Sequence, residues 1–211
     1  MSVGVRPTLK LAQETGLAMG PSGGLQVNEF LQTSDKNIFA GGDMAEINHR
    51  VLNKTVRIPL AGPANRQGRL AANNILSKTM KPYRGSQGTT IVRFFDAVVG
   101  STRVNFIQAQ EAGLNPETIV IRKENHLGYY PGGKMLTLLL IYQKETGRLL
   151  GAQVAGEAGA DRRLDVLSTA VYAGLTVVDL AELDLAYAPP FGSANDPVNI
   201  AGFTAENRIS G

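Results

Sequence analysis

The residues best suited to chemistry in this chain lie on two tyrosine-bearing segments, one glycine turn and one arginine pair. Tyr187-Ala-Pro-Pro-Phe-Gly-Ser-Ala-Asn-Asp-Pro197 carries two large rings, Tyr187 and Phe191, on a heavily constrained backbone. Pro189, Pro190 and Pro197 each fix φ and remove an amide donor, which excludes helix interior and central strand. Ala188 and Pro189 are pushed toward extended geometry by the proline after each, and Gly192 supplies one free hinge. Such a loop either plugs a core with its rings or presents them to something else. Tyr129-Tyr-Pro-Gly132 brings a second set of phenols, for which the competing reading is a turn before Pro131. A phenol donates a hydrogen bond and offers an apolar wall. It is a weak acid at neutral pH, so positioning and electrostatic roles come before proton transfer.

Gly41-Gly42-Asp43 follows the short apolar run Ile38-Phe39-Ala40. Two glycines let a backbone approach a ligand closely, and the acid after them can bond hydroxyls. The competing reading is a strand-to-loop turn with an ordinary surface Asp. Arg162 and Arg163 are adjacent, and guanidinium matches phosphate geometry. A solvated helix start is the other reading, although basic side chains there oppose the helix dipole. The histidines, His49 and His126, are far apart and are read as surface or capping residues. There is no cysteine, hence no disulfide, no Cys-based metal site and no thiol nucleophile. No metal site is expected.

The elements that must position these residues divide into two groups. A length of 211 residues suits one large or two small domains, and 43% hydrophobic content suits a sizeable core. No apolar run approaches membrane-spanning length, and no secretory pattern opens the chain, so a cytoplasmic protein without a membrane partner is the default. A net charge of +3, spread along the sequence, argues against a nucleic-acid surface. Up to about residue 82 the pattern gives a helix from Pro7 ended by Gly16, a turn at Gly20–Gly24, strands at Leu25–Phe30 and Ile38–Ala40, and a helix over Pro63–Ser77. From residue 83 onward, β-branched strands at Thr90–Phe95 and Ala97–Val99 come first. An Asn105/Gln108 capping box then opens a short helix closed by Gly113. Strands at Glu117–Arg122, Lys134–Tyr142 and Arg148–Val154 follow, the last two forming a hairpin. A helix through Leu164, Leu167, Ala170 and Val171 ends at Gly174, and Thr176 caps another.

In its setting, Thr33-Ser-Asp-Lys-Asn-Ile-Phe-Ala-Gly-Gly-Asp43 resembles the second flavin-binding motif of the pyridine nucleotide-disulfide oxidoreductase family. Gly4-Val-Arg-Pro7, Gly23-Gly-Leu-Gln-Val-Asn28 and Pro59-Leu-Ala-Gly-Pro-Ala-Asn-Arg-Gln-Gly68 resemble its flanking segments in the same order. The resemblance implies that Gly41, Gly42 and Asp43 contact FAD, with Asp43 on the ribityl chain. It also implies that Pro59, Leu60 and Ala61 open a helix beside the isoalloxazine ring, where a helix N-terminus favours negative charge on reduced flavin. Residues from about Tyr83 resemble the family's dimerisation domain, which builds a homodimer and sends side chains into the partner's active site, reciprocally about a two-fold axis.

No histidine follows His126, which disfavours the His–Glu dyad of the glutathione-reductase type. Tyr129-Tyr-Pro-Gly132, Gly159-Ala-Asp-Arg-Arg-Leu-Asp-Val-Leu167, Tyr187-Ala-Pro-Pro-Phe191 and Asp196-Pro-Val-Asn199 instead resemble the coenzyme A-disulfide reductase branch. That resemblance implies that Tyr129 and Tyr187 reach the other subunit's cysteine, with Tyr130 as the adjacent alternative. It implies that Arg162, Arg163 and Phe191 contact coenzyme A.

The expected fold is therefore an α+β dimerisation domain, an antiparallel sheet with helices, over 83–211, preceded over 1–82 by the C-terminal portion of a Rossmann-like FAD-binding domain. No Gly-x-Gly-x-x-Gly occurs, so the chain is expected to be a C-terminal segment beginning inside the flavin domain. The expected parent is an FAD- and NAD(P)H-dependent reductase of coenzyme A disulfide, persulfide or polysulfide, homodimeric through its second half. Some members of the branch continue into a rhodanese domain. An NADH oxidase or peroxidase of the same family is the alternative, and a non-catalytic dimerisation module is the reading for the isolated segment.

Overall fold

The computed structural model describes residues 4–102 and 104–210. The described chain forms two compact units divided between Gly88 and Thr89, six residues beyond the expected boundary. Residues 83–88 stay with the first unit because their backbone is tied there. The Tyr83 amide donates to the Glu29 carbonyl, the Ser86 amide donates to Asn48, and the Ser86 carbonyl accepts from the Arg50 amide.

The first unit contains α1 (Lys10–Glu14), β1 (Leu25–Gln26), β2 (Ala45–His49), β3 (Lys54–Val56) and α2 (Ala61–Leu76). β1 pairs parallel to β2, and β2 pairs antiparallel to β3. The expected strand at 25–30 is cut to two residues. Asn28 Oδ1 accepts from the Phe30 and Gln32 amides, and this local turn competes with the extended ladder. Ile38–Ala40 also departs from expectation. Its only strand-like pairing among the described residues is an isolated bridge between Phe39 and Gln32, followed by a 3-10 turn at Gly42–Met44.

The buried face of α2 is largely polar. Ile75 and Leu76 are exposed, while Pro63, Gln67 and Asn74 are buried. Asn74 has its hydrogen-bonding needs met. It donates to the Phe30 and Lys81 carbonyls and accepts from the Lys81 amide. Buried Glu46 anchors the 20–24 turn through Oε1 alone, which accepts from the Ser22 amide and hydroxyl and from the Gly24 amide. His49 is buried as a capping residue, its Nδ1 accepting from the Val51 and Leu52 amides.

The second unit is the expected α+β layer. Strands β4 (Thr90–Phe94), β5 (Ala97–Ser101), β6 (Pro116–Glu124), β7 (Met135–Gln143) and β8 (Leu149–Gly156) form one antiparallel sheet in the order β4-β5-β8-β7-β6. Helices α3 (Phe106–Glu111), α4 (Ala160–Ala173), α5 (Val177–Glu182) and α6 (Pro197–Ser210) accompany it. Both sequence-read caps form: Asn105 with Gln108 on α3, and Thr176, answered by Asp179, on α5. Leu136, Leu138 and Leu140 alternate onto a buried face of β7, joined by Val154, Leu164, Leu167 and Leu180. α6 is an element the sequence reading did not assign. It crosses α5 so closely that a Cβ at Gly202 would lie 2.4 Å from the Ala181 amide nitrogen. No helix among the described residues is long and apolar enough to cross a membrane.

Tyr142 ties β7 to β6. It is fully buried, and its hydroxyl donates to Glu117 Oε2 at 3.0 Å. Hydrogen bonds from Lys144 and Tyr142 hold the Glu117 carboxyl below its usual range. Burial, and then the bond to Glu117, push the Tyr142 phenol up to about 12. An unfolded phenol ionises near pH 10, so this contribution is whole below about pH 10 and fades as pH climbs toward about 12. Urea unfolding followed by circular dichroism should therefore lose stability more steeply over that window in the wild type than in Tyr142→Phe. Parallel pH profiles for the two would contradict this.

Candidate functional site

The first turn of α4 organises both tyrosine segments. Arg163 is 2% exposed and Asp196 3%. Arg163 Nε donates to Asp196 Oδ1 at 3.2 Å and Nη2 to Oδ2 at 2.7 Å, the bidentate fork for which guanidinium is suited. The same Nη2 donates to the Asn125 carbonyl at 2.7 Å, and Nη1 to the Gly159 carbonyl at 3.3 Å. The dipole conflict noted from sequence is thereby answered, because a buried carboxylate from another element meets the cation at the helix start.

Asp196 also starts α6. Its carboxylate accepts from the Val198 amide, while Asn199 Oδ1 accepts from the Asp196 amide. This reciprocal arrangement is of the capping-box kind, with Pro197 at the first helical position. Asn199 Nδ2 turns back to the Leu180, Ala181 and Leu183 carbonyls at the end of α5. Asp196 and Asn199 thus hold both ends of the 184–195 loop.

Between those ends, Arg162 grips the loop backbone. Nη1 donates to the Phe191 carbonyl and Nη2 to the Ala186 carbonyl, each at 3.0 Å, and Nη2 lies 3.6 Å from Asp196 Oδ2. The Phe191 amide closes a turn onto the Ala188 carbonyl around Pro189 and Pro190. The rings themselves stay out. Tyr187 is 48% exposed and Phe191 67%, so within this chain neither plugs the core.

The Tyr129 segment hangs from Asn125. The Asn125 amide donates to the Lys134 carbonyl and its Oδ1 accepts from the Lys134 amide, both at 2.8 Å, closing the neck of the loop. Tyr130 packs edge-on against buried His126, with ring centroids 5.5 Å apart. Tyr129 is 75% exposed. His126 is therefore a packing residue, and of the two adjacent tyrosines Tyr129 is the one that projects.

These positions correct the expectation that Arg163 meets substrate phosphates. It is buried, and four hydrogen bonds inside the unit occupy its guanidinium. Arg162 keeps partial exposure, but both its terminal nitrogens serve the loop. Sequence reasoning missed Asp196 as the partner of both arginines. Asp-Pro with Asn three residues after the Asp is a helix-start pattern, but it marks a cap and not a partner for an arginine.

In the first unit the glycine turn and the start of α2 adjoin. Gly42 has φ +79°, and a Cβ there would sit 3.7 Å from Ala64 Cβ. The Gly42 amide donates to Gln67 Oε1 at 2.6 Å. Asp43 is exposed, Pro59 and Leu60 are half-buried, and Ala61 is exposed. No side chain caps α2, and its first turn holds no acid, which leaves the positive end of the helix open to an anion. An open acceptor beside uncapped amides suits a ligand with hydroxyls and negative charge. Among the described residues no cluster of His, Cys, Asp and Glu could hold a metal ion.

Residues 1–68 match the family model described as pyridine nucleotide-disulphide oxidoreductase, and residues 89–196 match that family's dimerisation domain. The chain is 37% identical over 198 residues to a Pyrococcus abyssi NAD(P)H sulfur oxidoreductase (CoA-dependent), covering 94% of this chain and 44% of the relative. It is 31% identical over 204 residues to a Staphylococcus epidermidis coenzyme A disulfide reductase, covering 97% and 46%. The crystal structure of reduced Bacillus anthracis CoADR-RHD superposes with a TM-score of 0.95 at 42% identity, over 99% of this chain and 38% of that one. The chain spans about half the length of the curated relatives it matches.

Removing one partner of a buried ion pair strands the other charge, at about 3–5 kcal/mol. Asp196→Ala should cost the second unit roughly that much in denaturant unfolding. Asp196→Asn, which keeps the cap acceptor, should cost less. A loss below about 1 kcal/mol for Asp196→Ala would mean that the pair is not desolvated as described.

Proposed function

The chain belongs to the pyridine nucleotide-disulphide oxidoreductase family, and from that premise we propose that it forms the C-terminal half of an FAD- and NAD(P)H-dependent reductase of coenzyme A disulfides or persulfides. The observation that carries this reading is the pair of exposed phenols, Tyr129 and Tyr187, on loops whose bases share one buried arginine. Locked backbone with free rings is what a group must have to serve a site beyond its own unit. The likeness to CoA-dependent and CoA-disulfide enzymes over nearly the whole chain supports the choice of substrate class.

Bound FAD supplies the two-electron relay between nicotinamide and sulfur. In the proposal, Gly41 and Gly42 let the backbone come close to that cofactor, and Asp43 accepts from its hydroxyls. Pro59, Leu60 and Ala61 bring the uncapped start of α2 to it, so that the helix amides favour negative charge. The chain has no cysteine, so the redox thiol comes from residues other than these. The two halves of a homodimer would exchange their phenols reciprocally. Tyr187 donates its O–H to the sulfur anion released on reduction and orients it, Tyr129 flanks the same sulfur, and Phe191 walls the substrate.

The test is Tyr187→Phe in the native protein carrying this chain. Loss of one preorganised donor to developing charge should lower turnover of coenzyme A disulfide about a hundredfold to a thousandfold. Flavin content and flavin reduction by NAD(P)H should be unchanged. Unaltered sulfur turnover would return Tyr187 to a structural role, and faster NADH oxidation by oxygen than by coenzyme A disulfide would favour an oxidase instead.

A further inference from the structure

We propose that Arg162 is a positioning residue for the reductase reaction, setting the placement of Tyr187 through the loop backbone. The inference rests on the preceding reading of Tyr187 for its chemical consequence, and on geometry alone for its mechanism.

The carbonyls that Arg162 holds flank Tyr187 along the chain. Ala186 immediately precedes it, and Phe191 closes the turn after it. One planar guanidinium therefore fixes both ends of a six-residue span. Within the span, Pro189 and Pro190 have φ set by their rings, and the Phe191 amide is already bonded to Ala188. What remains adjustable is chiefly the backbone at Tyr187 and Ala188. The Tyr187 ring is about half exposed, so its packing inside the unit does not lock it. Its placement is inherited from the backbone, and the backbone is set by Arg162.

Arg163 supplies the fixed point beneath. It joins the exit of the Tyr187 loop, at Asp196, to the neck of the Tyr129 loop, at Asn125. Arg162 leans on the same carboxylate at 3.6 Å. The two adjacent arginines thus divide the work: the buried one registers the two loops at their bases, and the half-exposed one sets the tip of one of them. Lysine cannot take the place of Arg162, because a single ammonium lacks the planar fork that spans two carbonyls.

The experiment uses the native protein with Arg162→Ala, Arg162→Lys, Tyr187→Phe and the double variant Arg162→Ala/Tyr187→Phe. Hydrogen exchange should quicken about tenfold or more at the Phe191 and Gly192 amides in Arg162→Ala, less in Arg162→Lys, with β7 and β8 unchanged. Turnover of coenzyme A disulfide should fall about tenfold in Arg162→Ala, while flavin reduction by NAD(P)H holds. In the Tyr187→Phe background the same arginine change should cost almost nothing more, because the two residues act through one hydroxyl. Unchanged exchange at Phe191 and Gly192 would overturn the latch. Faster exchange with full additivity of the two substitutions would overturn the positioning role. A wild-type protein that does not reduce coenzyme A disulfide would overturn the preceding reading of Tyr187, while the exchange data would still decide the latch.

Discussion

The buried contact between Arg163 and Asp196 is the constraint on which the second unit's candidate functional surface depends. Taking a guanidinium and a carboxylate out of water is costly, and only close to ideal geometry with further hydrogen bonds offsets it. Here the fork is bidentate, and the remaining valences go to the Asn125 and Gly159 carbonyls and the Val198 amide. Against a well-packed apolar pair, such an arrangement contributes little net stability. What it contributes is position. It joins the first turn of α4, the neck of the Tyr129 loop and the start of α6, three elements far apart in sequence, at one point.

The first unit is built by the same means on a smaller scale. Gln67, Asn74 and Glu46 are buried polar side chains, and each secures a turn through backbone amides or carbonyls. The Gly41–Gly42 turn is held from below by Gln67, so its outer side, with Asp43 and the uncapped start of α2, stays open. Both units therefore place their candidate functional groups on irregular backbone stiffened by buried hydrogen bonds, as expected where loops carry function on a rigid scaffold.

Most of the second unit was legible in the sequence because its signals are local. The alternation of Leu136, Leu138 and Leu140, the caps at Asn105 and Thr176, and Gly174 at a helix end in the left-handed region each depend on residues within one turn of one another. What could not be read was non-local. Asp196 answers an arginine 33 residues earlier, and Asn74 caps a carbonyl 44 residues away. Nothing in the neighbourhood of either residue marks it as buried. The inward face of α2 likewise belongs to Gln67 and Asn74, while its apolar Ile75 and Leu76 are exposed. α6 was hidden by Pro197, which was taken as a loop constraint although Pro is also at home at the first helical position. The tyrosines were singled out as candidates through resemblance; their exposure, and the difference between Tyr129 and Tyr130, needed coordinates.

The most direct test of the account is a crystal structure of the native protein with coenzyme A bound. The account predicts a homodimer in which the Tyr187 hydroxyl of one subunit lies within hydrogen-bond distance of the coenzyme A sulfur in the other, with Arg162 still on the Ala186 and Phe191 carbonyls. A Tyr187 ring folded into its own subunit, remote from the sulfur in both active sites, would contradict it.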